Sequence, residues 1–332
     1  MKTHAHYIRG SVTRAASLRE GRLELVDRPR PSWEEGDLVV AEARARGQIE
    51  VPTGRVVEVE PGDQLVGALG VRAASLEIVG DWRAVGDDRR LDALSAAGVL
   101  GRCTSASRYG RSAVFGLDYL GHLAPGSGPT SLMDTVVGGA SRPFTTPTIL
   151  ILGTSMSAGK TTAAKAIIRS LSRRGLRVAG AKLAGMGRRR DVLAMEDAGA
   201  QVVFDFVDAG LPSTVVTPER CAAAITHVLN LITAAGPDVL VAEAGASPLE
   251  PYNGDLVARM LLPNTRLTVL CASDPYAVPG LLQAAELRPD VVAGLATSTS
   301  AAVALLHRLV DVEAIDLFSA ADLERLDQMI RR

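Results

Sequence analysis

The sequence predicts an α/β fold: a doubly wound, mostly parallel sheet over residues 148–332, with a smaller β-rich domain over residues 1–137. Three observations predict it. From residue 148 onward, continuous apolar runs alternate with helical patterns, as strands read when helices cover both faces of a parallel sheet. Before residue 137, short runs of β character recur between Gly and Pro punctuation. Between the two, Gly-Gly-Ala-Ser-Arg-Pro-Phe-Thr-Thr-Pro over residues 138–147 reads as a linker.

In the first part the candidate strands are Asp37–Ala43, Arg55–Glu60, Gln64–Leu69, Leu76–Val79 and Ala113–Leu117. Pro61-Gly62-Asp63 reads as a turn. Arg90–Ala97 fits a short helix, and the whole reads as a small, barrel-like domain without chemistry-bearing motifs. In the second part, Thr148–Leu152 is a strand that leads through a glycine-containing loop into a helix ending near Arg174. The strand Arg177–Lys182, a helix from Asp191 and the strand Gln201–Phe206 follow. Thr217 is placed to cap a helix with Pro218 at its first position, ending near Gly236. The strands Val239–Ala242, Leu267–Cys271, Val291–Gly294 and Ala314–Leu317 complete the series.

Composition excludes several classes of function. Lys and Arg number 36, Asp and Glu 37, and the net charge of −1 argues against a nucleic-acid coat or a polybasic membrane patch. The longest charge-free runs, Pro143–Gly159, Cys221–Pro237 and Val291–His307, are broken by polar, Gly or Pro residues and are too short and polar to span a bilayer. No apolar stretch follows Met1–His6, so no secretory signal is expected and the cytoplasm is the expected compartment. Cys103, Cys221 and Cys271 lie far apart, which disfavours a disulfide framework or a structural zinc. His227 and His307 fall in apolar helical pattern, where packing explains them, and His4-x-His6 belongs to a loose terminus.

The sharpest signal is Gly153-Thr154-Ser155-Met156-Ser157-Ala158-Gly159-Lys160-Thr161-Thr162, placed after a strand and opening a helix. That is the context of a phosphate-binding loop: loop amides and a helix N-terminus face the phosphates, Lys160 adds a compact cation, and the Thr161 hydroxyl suits magnesium. Five residues separate the two glycines, where four are usual. Lys2, Lys160, Lys165 and Lys182 are the only lysines of the chain, so Lys160 and Lys182 stand out against a background of arginine. Lys182 ends the second strand, where it would face a γ-phosphate. Glu243 ends the apolar strand Asp238–Ala242 and suits a second magnesium or water-positioning ligand. Arg188-Arg189-Arg190 precede Asp191 and read either as a clamp for an anionic substrate, with Arg188 foremost, or as a solvated loop. Ser247, Glu250, Tyr252 and Asn253 lie in a Pro- and Gly-rich segment that either lines a substrate pocket or caps the helix through Met260. Asp274 is either a cap or a ligand-facing group.

These residues resemble a P-loop NTPase family. The loop, Ala179-Gly180-Ala181-Lys182, Asp191-Val192-Leu193-Ala194 and Glu243-Ala244-Gly245-Ala246 look like dethiobiotin synthetase and its carboxylate-activating relatives. The resemblance implies a P-loop lysine in Lys160, a magnesium threonine in Thr161, a γ-phosphate-facing Lys182 and magnesium carboxylates in Asp191 and Glu243. The P-loop domain of bacterial D-glutamate N-acetyltransferase is as close, through Asp205–Gly210 and Glu243–Gly254. The likeness covers roughly residues 148–300. Ser155 departs from the Asp usual after Gly-Thr, and Ser298 from an adenine-reading Asn. The expected function is a Mg-ATP-dependent enzyme, of ligase or kinase type, activating a carboxylate or carbamate by γ-phosphoryl transfer for amide or C–N bond formation. Catalysis would fall to Lys160, Lys182 and Glu243. The alternatives are an acetyl-CoA-dependent N-acyltransferase and a nucleotide-switch or assembly protein. Expected partners are a small carboxylate or amine substrate and a second copy of the chain, with no nucleic acid and no membrane.

Overall fold

The computed structural model describes residues 7–19, 21–109 and 114–331. His4 and His6 lie outside them. The chain forms two compact units. The first comprises residues up to Gly138 together with Met186–Arg190 and Phe206–Val215, and the second holds the remainder. The linker therefore does not separate the units cleanly, because two short stretches of the second half build part of the first.

In the first unit the strands are β1 (Tyr7–Arg9), β2 (Leu25–Val26), β3 (Leu38–Ala43), β4 (Gly47–Glu50), β5 (Val56–Val59), β6 (Gln64–Leu69), β7 (Val71–Ala73), β8 (Ile78–Asp81), β9 (Arg90–Ala93), β10 (Val99–Ala106) and β11 (Gly116–Leu123). Pairing runs β6-β3-β11-β9-β10 and returns to β6 through a parallel β6–β10 contact, so the sheet closes on itself as a barrel. Its core includes Val39, Ala41, Leu65, Leu69, Leu91, Leu100 and Leu117, together with Trp33, Ile49 and Phe115. The expected helix over Arg90–Ala97 is instead strand β9 and a turn. Leu91 and Ala93 are buried while Arg90 is exposed, and β9 pairs antiparallel with both β10 and β11. Two-sided pairing prevails over local helical preference there. The Pro61-Gly62-Asp63 turn is present, held by the Glu60 amide donating to Asp63 Oδ2 at 2.8 Å. It joins β5, which pairs with β4, to β6 of the barrel.

The second unit carries β12 (Thr148–Gly153), β13 (Val178–Ala184), β14 (Val202–Asp205), β15 (Val239–Ala244), β16 (Thr265–Ala272), β17 (Val291–Gly294) and β18 (Glu313–Ala314). They pair in parallel in the order β14-β13-β15-β12-β16-β17-β18. The helices are α1 (Lys160–Arg173), α2 (Arg189–Asp197), α3 (Pro218–Ala235), α4 (Gly254–Leu261), α5 (Ala277–Ala284), α6 (Ser300–Leu309) and α7 (Ala320–Arg331). Helices α1 and α7 cover one face, where Ile167, Ile168, Leu171 and Leu326 meet Ile149, Ile151, Val241 and Val269. Helices α3 and α4 pack together near β13, β14 and β15. Thr217 accepts from the Arg220 amide at 3.4 Å with Pro218 next to it, and Gly236 ends α3 in the left-handed region. Because β12 lies between β15 and β16, the loop after it emerges at the middle of the carboxyl edge. Among the described residues no helix is long and apolar enough to cross a membrane.

Candidate functional site: a phosphate-binding loop with two lysines and a buried carboxylate

Strand β12 ends at Gly153 and α1 begins at Lys160, so residues 154–159 form the loop. Its start is tied to the end of β16: the Thr154 amide donates to the Cys271 carbonyl at 3.0 Å, and the Ser273 amide donates to Thr154 Oγ1 at 3.0 Å. Ser157 takes a left-handed conformation, φ 62°, the kind of local strain that a binding loop retains. A Cβ at Gly153 would lie 2.8 Å from Lys160 Cδ and 3.0 Å from the Ala246 carbonyl oxygen, so a larger residue there would displace the lysine stem. The first amides of α1 have no acceptor within the helix and carry its positive dipole end, which is what a phosphate needs.

Lys160 is 9 % exposed. Its ammonium donates to the Ser155 carbonyl at 2.6 Å and the Ala246 carbonyl at 3.2 Å. Burial lowers its pKa, opposed chiefly by the charge of Glu243. Lys182 lies in register with Glu243 on one neighbouring strand and Asp205 on the other. Its ammonium donates to Asp191 Oδ2 at 2.5 Å. Burial works against that charge, yet Asp191, Glu243 and Asp205 outweigh it and raise the pKa.

Glu243 is 3 % exposed at the end of β15. Burial, reinforced by the charge of Asp191, pushes its pKa up to about 7, against the pull of Lys182, Lys160 and a hydrogen bond from the Thr161 hydroxyl. Glu243 Oε1 is buried and has no hydrogen-bond partner. An orphaned carboxylate oxygen beside a helix-start threonine is a hard-oxygen donor set, which fits magnesium. Among the described residues no cluster of three or more acidic, His or Cys side chains forms a metal cage. A magnesium site that relies on one or two carboxylates plus substrate phosphates needs none.

The structure thus brings Lys160, Thr161, Lys182, Asp191 and Glu243 together at one edge of the sheet. Glu250 is near enough to Lys160 to raise its pKa. Other candidates lie elsewhere or are already engaged. Arg188 belongs to the first unit, where its Nε lies 3.4 Å from Glu50 Oε2. Tyr252 is 0 % exposed, so it is core rather than pocket lining. Ser247 is buried, and its hydroxyl accepts from the Leu249 amide at 3.3 Å. Asn253 stands at the start of α4 in a left-handed conformation and does not cap it; its side-chain amide donates to the Val216 carbonyl at 3.0 Å. Asp274 accepts from the Ala277 amide at 3.0 Å, at the start of α5. Sequence reasoning missed Asp205 as a site neighbour, although it ends an apolar strand just as Glu243 does. It also missed the Ala246 carbonyl, which no side-chain pattern signals.

No family model matches the chain, and no curated protein matches it. Among solved structures, the hydrogenase maturation factor HypB from Archaeoglobus fulgidus is similar at 19% identity, covering 56% of this chain and 89% of that one, TM-score 0.37. The signal recognition particle receptor FtsY from Elizabethkingia anophelis is similar at 14% identity over 58% of this chain and 67% of that one, TM-score 0.38. The signal recognition particle 54 kDa protein from Aeropyrum pernix K1, in complex with GDP, is similar at 14% identity over 57% and 50%, TM-score 0.35. The expected ligase- or kinase-type ATP enzyme, with acyltransfer as runner-up, is not what these comparisons return: the structures are named as a maturation factor and as signal recognition particle proteins. The parallel sheet, the loop at its centre and the helix that follows give the second unit a doubly wound α/β fold with the strand–loop–helix arrangement of a phosphate-binding loop.

Proposed function

We propose that the chain is a nucleotide-dependent switch that binds a purine nucleoside triphosphate with magnesium and responds to the presence of the γ-phosphate. The observation that carries this reading is the placement of the Lys182–Asp191 pair. The two residues bracket Met186–Arg190, a stretch built into the other unit, and Asp205 immediately precedes the second such stretch. A γ-phosphate arriving there would meet the Lys182 ammonium where Asp191 holds it in place. The residues that sense the ligand are therefore the ones from which the chain leaves the unit.

In this reading the amides of the loop and of the first turn of α1 hold the phosphates, and Lys160 neutralises them once its ammonium swings from the Ser155 and Ala246 carbonyls. Thr161 and Glu243 would hold magnesium, which supplies charge neutralisation between phosphate oxygens. Calorimetric titration with GTP, GDP, ATP and ADP in magnesium buffer tests the proposal and separates the two bases. Submicromolar to micromolar binding of one triphosphate, lost in Lys160→Ala, is expected. Binding that survives Lys160→Ala unchanged would refute it.

A further inference from the structure

Glu50 ends β4 in the first unit and is wholly buried. Its Oε1 accepts from Ser11 Oγ at 2.6 Å, from the Arg189 amide at 2.7 Å and from the Arg190 amide at 3.3 Å, while Arg188 Nε lies 3.4 Å from Oε2. Arg189 and Arg190 open α2, whose first amides lack acceptors within the helix. Glu50 thus does from 139 residues away what a capping residue does locally, and its charge also suits the positive end of the helix. The next residue is Asp191, which grips Lys182. Apart from Ser11, the hydrogen-bond partners of this fully buried carboxylate all belong to residues 188–190.

We propose that Glu50 is a positioning residue for the nucleotide site, its hold on the Arg189 and Arg190 amides fixing the first turn of α2 so that Asp191 meets Lys182. This rests on the switch reading above. Releasing the cap frees the first turn, so the Asp191–Lys182 arrangement loosens while the phosphate loop is untouched. The consequence is selective: triphosphate binding suffers and diphosphate binding does not.

The test is calorimetric titration of full-length wild type, Glu50→Ala, Glu50→Asp and Glu50→Gln with a non-hydrolysable triphosphate and with the diphosphate. Glu50→Ala is expected to weaken triphosphate binding about tenfold, the size of a lost helix cap, with diphosphate affinity within about twofold. Glu50→Asp keeps the buried charge but shortens its reach, so it shows a several-fold selective loss even if the alanine variant does not fold. Glu50→Gln keeps an oxygen for the amides and restores triphosphate affinity toward wild type. In nucleotide-free protein, amide exchange across residues 191–197 is faster in Glu50→Asp than in wild type. Equal loss of both nucleotides in the folded variants, or triphosphate affinity unchanged in Glu50→Asp, overturns the proposal while leaving the switch reading in place. If wild type binds neither nucleotide, the switch reading itself falls and this proposal falls with it.

Discussion

Replacing Glu243 with Gln removes a buried carboxylate whose pKa rises from 4.5 to about 7 on folding. Below pH 4.5 the native and unfolded chains both hold the proton, and Glu243 contributes nothing to the pH dependence. Between 4.5 and about 7 the native state keeps a proton that the unfolded chain has lost, so stability falls as pH rises. Above about 7 the full cost of the buried charge is present. At about 1.36 kcal/mol per pKa unit, that cost is about 3 kcal/mol. Glu243→Gln is nearly isosteric and relieves it, so the variant is expected to be more stable than wild type at pH 8 and to converge with it toward pH 5. For a domain of this size the gain corresponds to a Tm about 6–12 °C higher at pH 8. Thermal melts of both proteins from pH 5 to 9, without nucleotide or magnesium, measure it. A difference that stays flat across the series, or a variant less stable at pH 8, would refute the reasoning. The same variant should bind magnesium-nucleotide poorly, the exchange of stability for function that a strained site implies.

Other outcomes follow from the same geometry. Magnesium-nucleotide binding at pH 7 ionises Glu243 and so releases about half a proton per site, read from calorimetry in buffers of different ionisation enthalpy; no buffer dependence argues against Glu243 as a ligand. Gly294→Ala places a Cβ 2.3 Å from the Ala158 carbonyl at φ 90°, so a loss of stability of about 2 kcal/mol or more and weakened nucleotide binding are expected in denaturant melts and titrations. Thr217→Ala removes the cap of α3 and should cost about 1 kcal/mol in urea unfolding without altering nucleotide affinity.

Much of the second unit was legible because its elements are declared by local pattern. The Gly159-Lys160-Thr161 triplet sits where a strand meets a helix, Pro218 follows its cap, and Val239–Glu243 is an apolar run ending in a carboxylate. The carboxyl-edge rule then places Lys182, Asp191 and Glu243 near one another without knowledge of the tertiary structure. The first unit was less legible. Arg90–Ala93 is held extended by partners on both sides, a cause that lies outside its own residues. Glu50 carries no signal at all, since the amides it serves are distant in sequence. The burial of Tyr252 and the Val216 partner of Asn253 carried no signal either, because polar side chains in a Pro- and Gly-rich segment look alike whether they face a ligand or a carbonyl.

The division of the chain also bears on how it is made. Phe206, Val207, Ala209 and Leu211 are buried residues of the first unit, yet they are translated after the phosphate loop and the strands that flank it. Vectorial synthesis normally lets an amino-terminal domain fold before the next emerges. Here the last residues of the first unit, up to Val215, follow Gly138 by roughly 4–15 s at 5–20 residues per second. During that interval its apolar surface is incomplete while β12, α1 and β13 are already available to collapse. The first unit cannot be completed before much of the second has been made, since it needs residues that follow the phosphate loop in the chain.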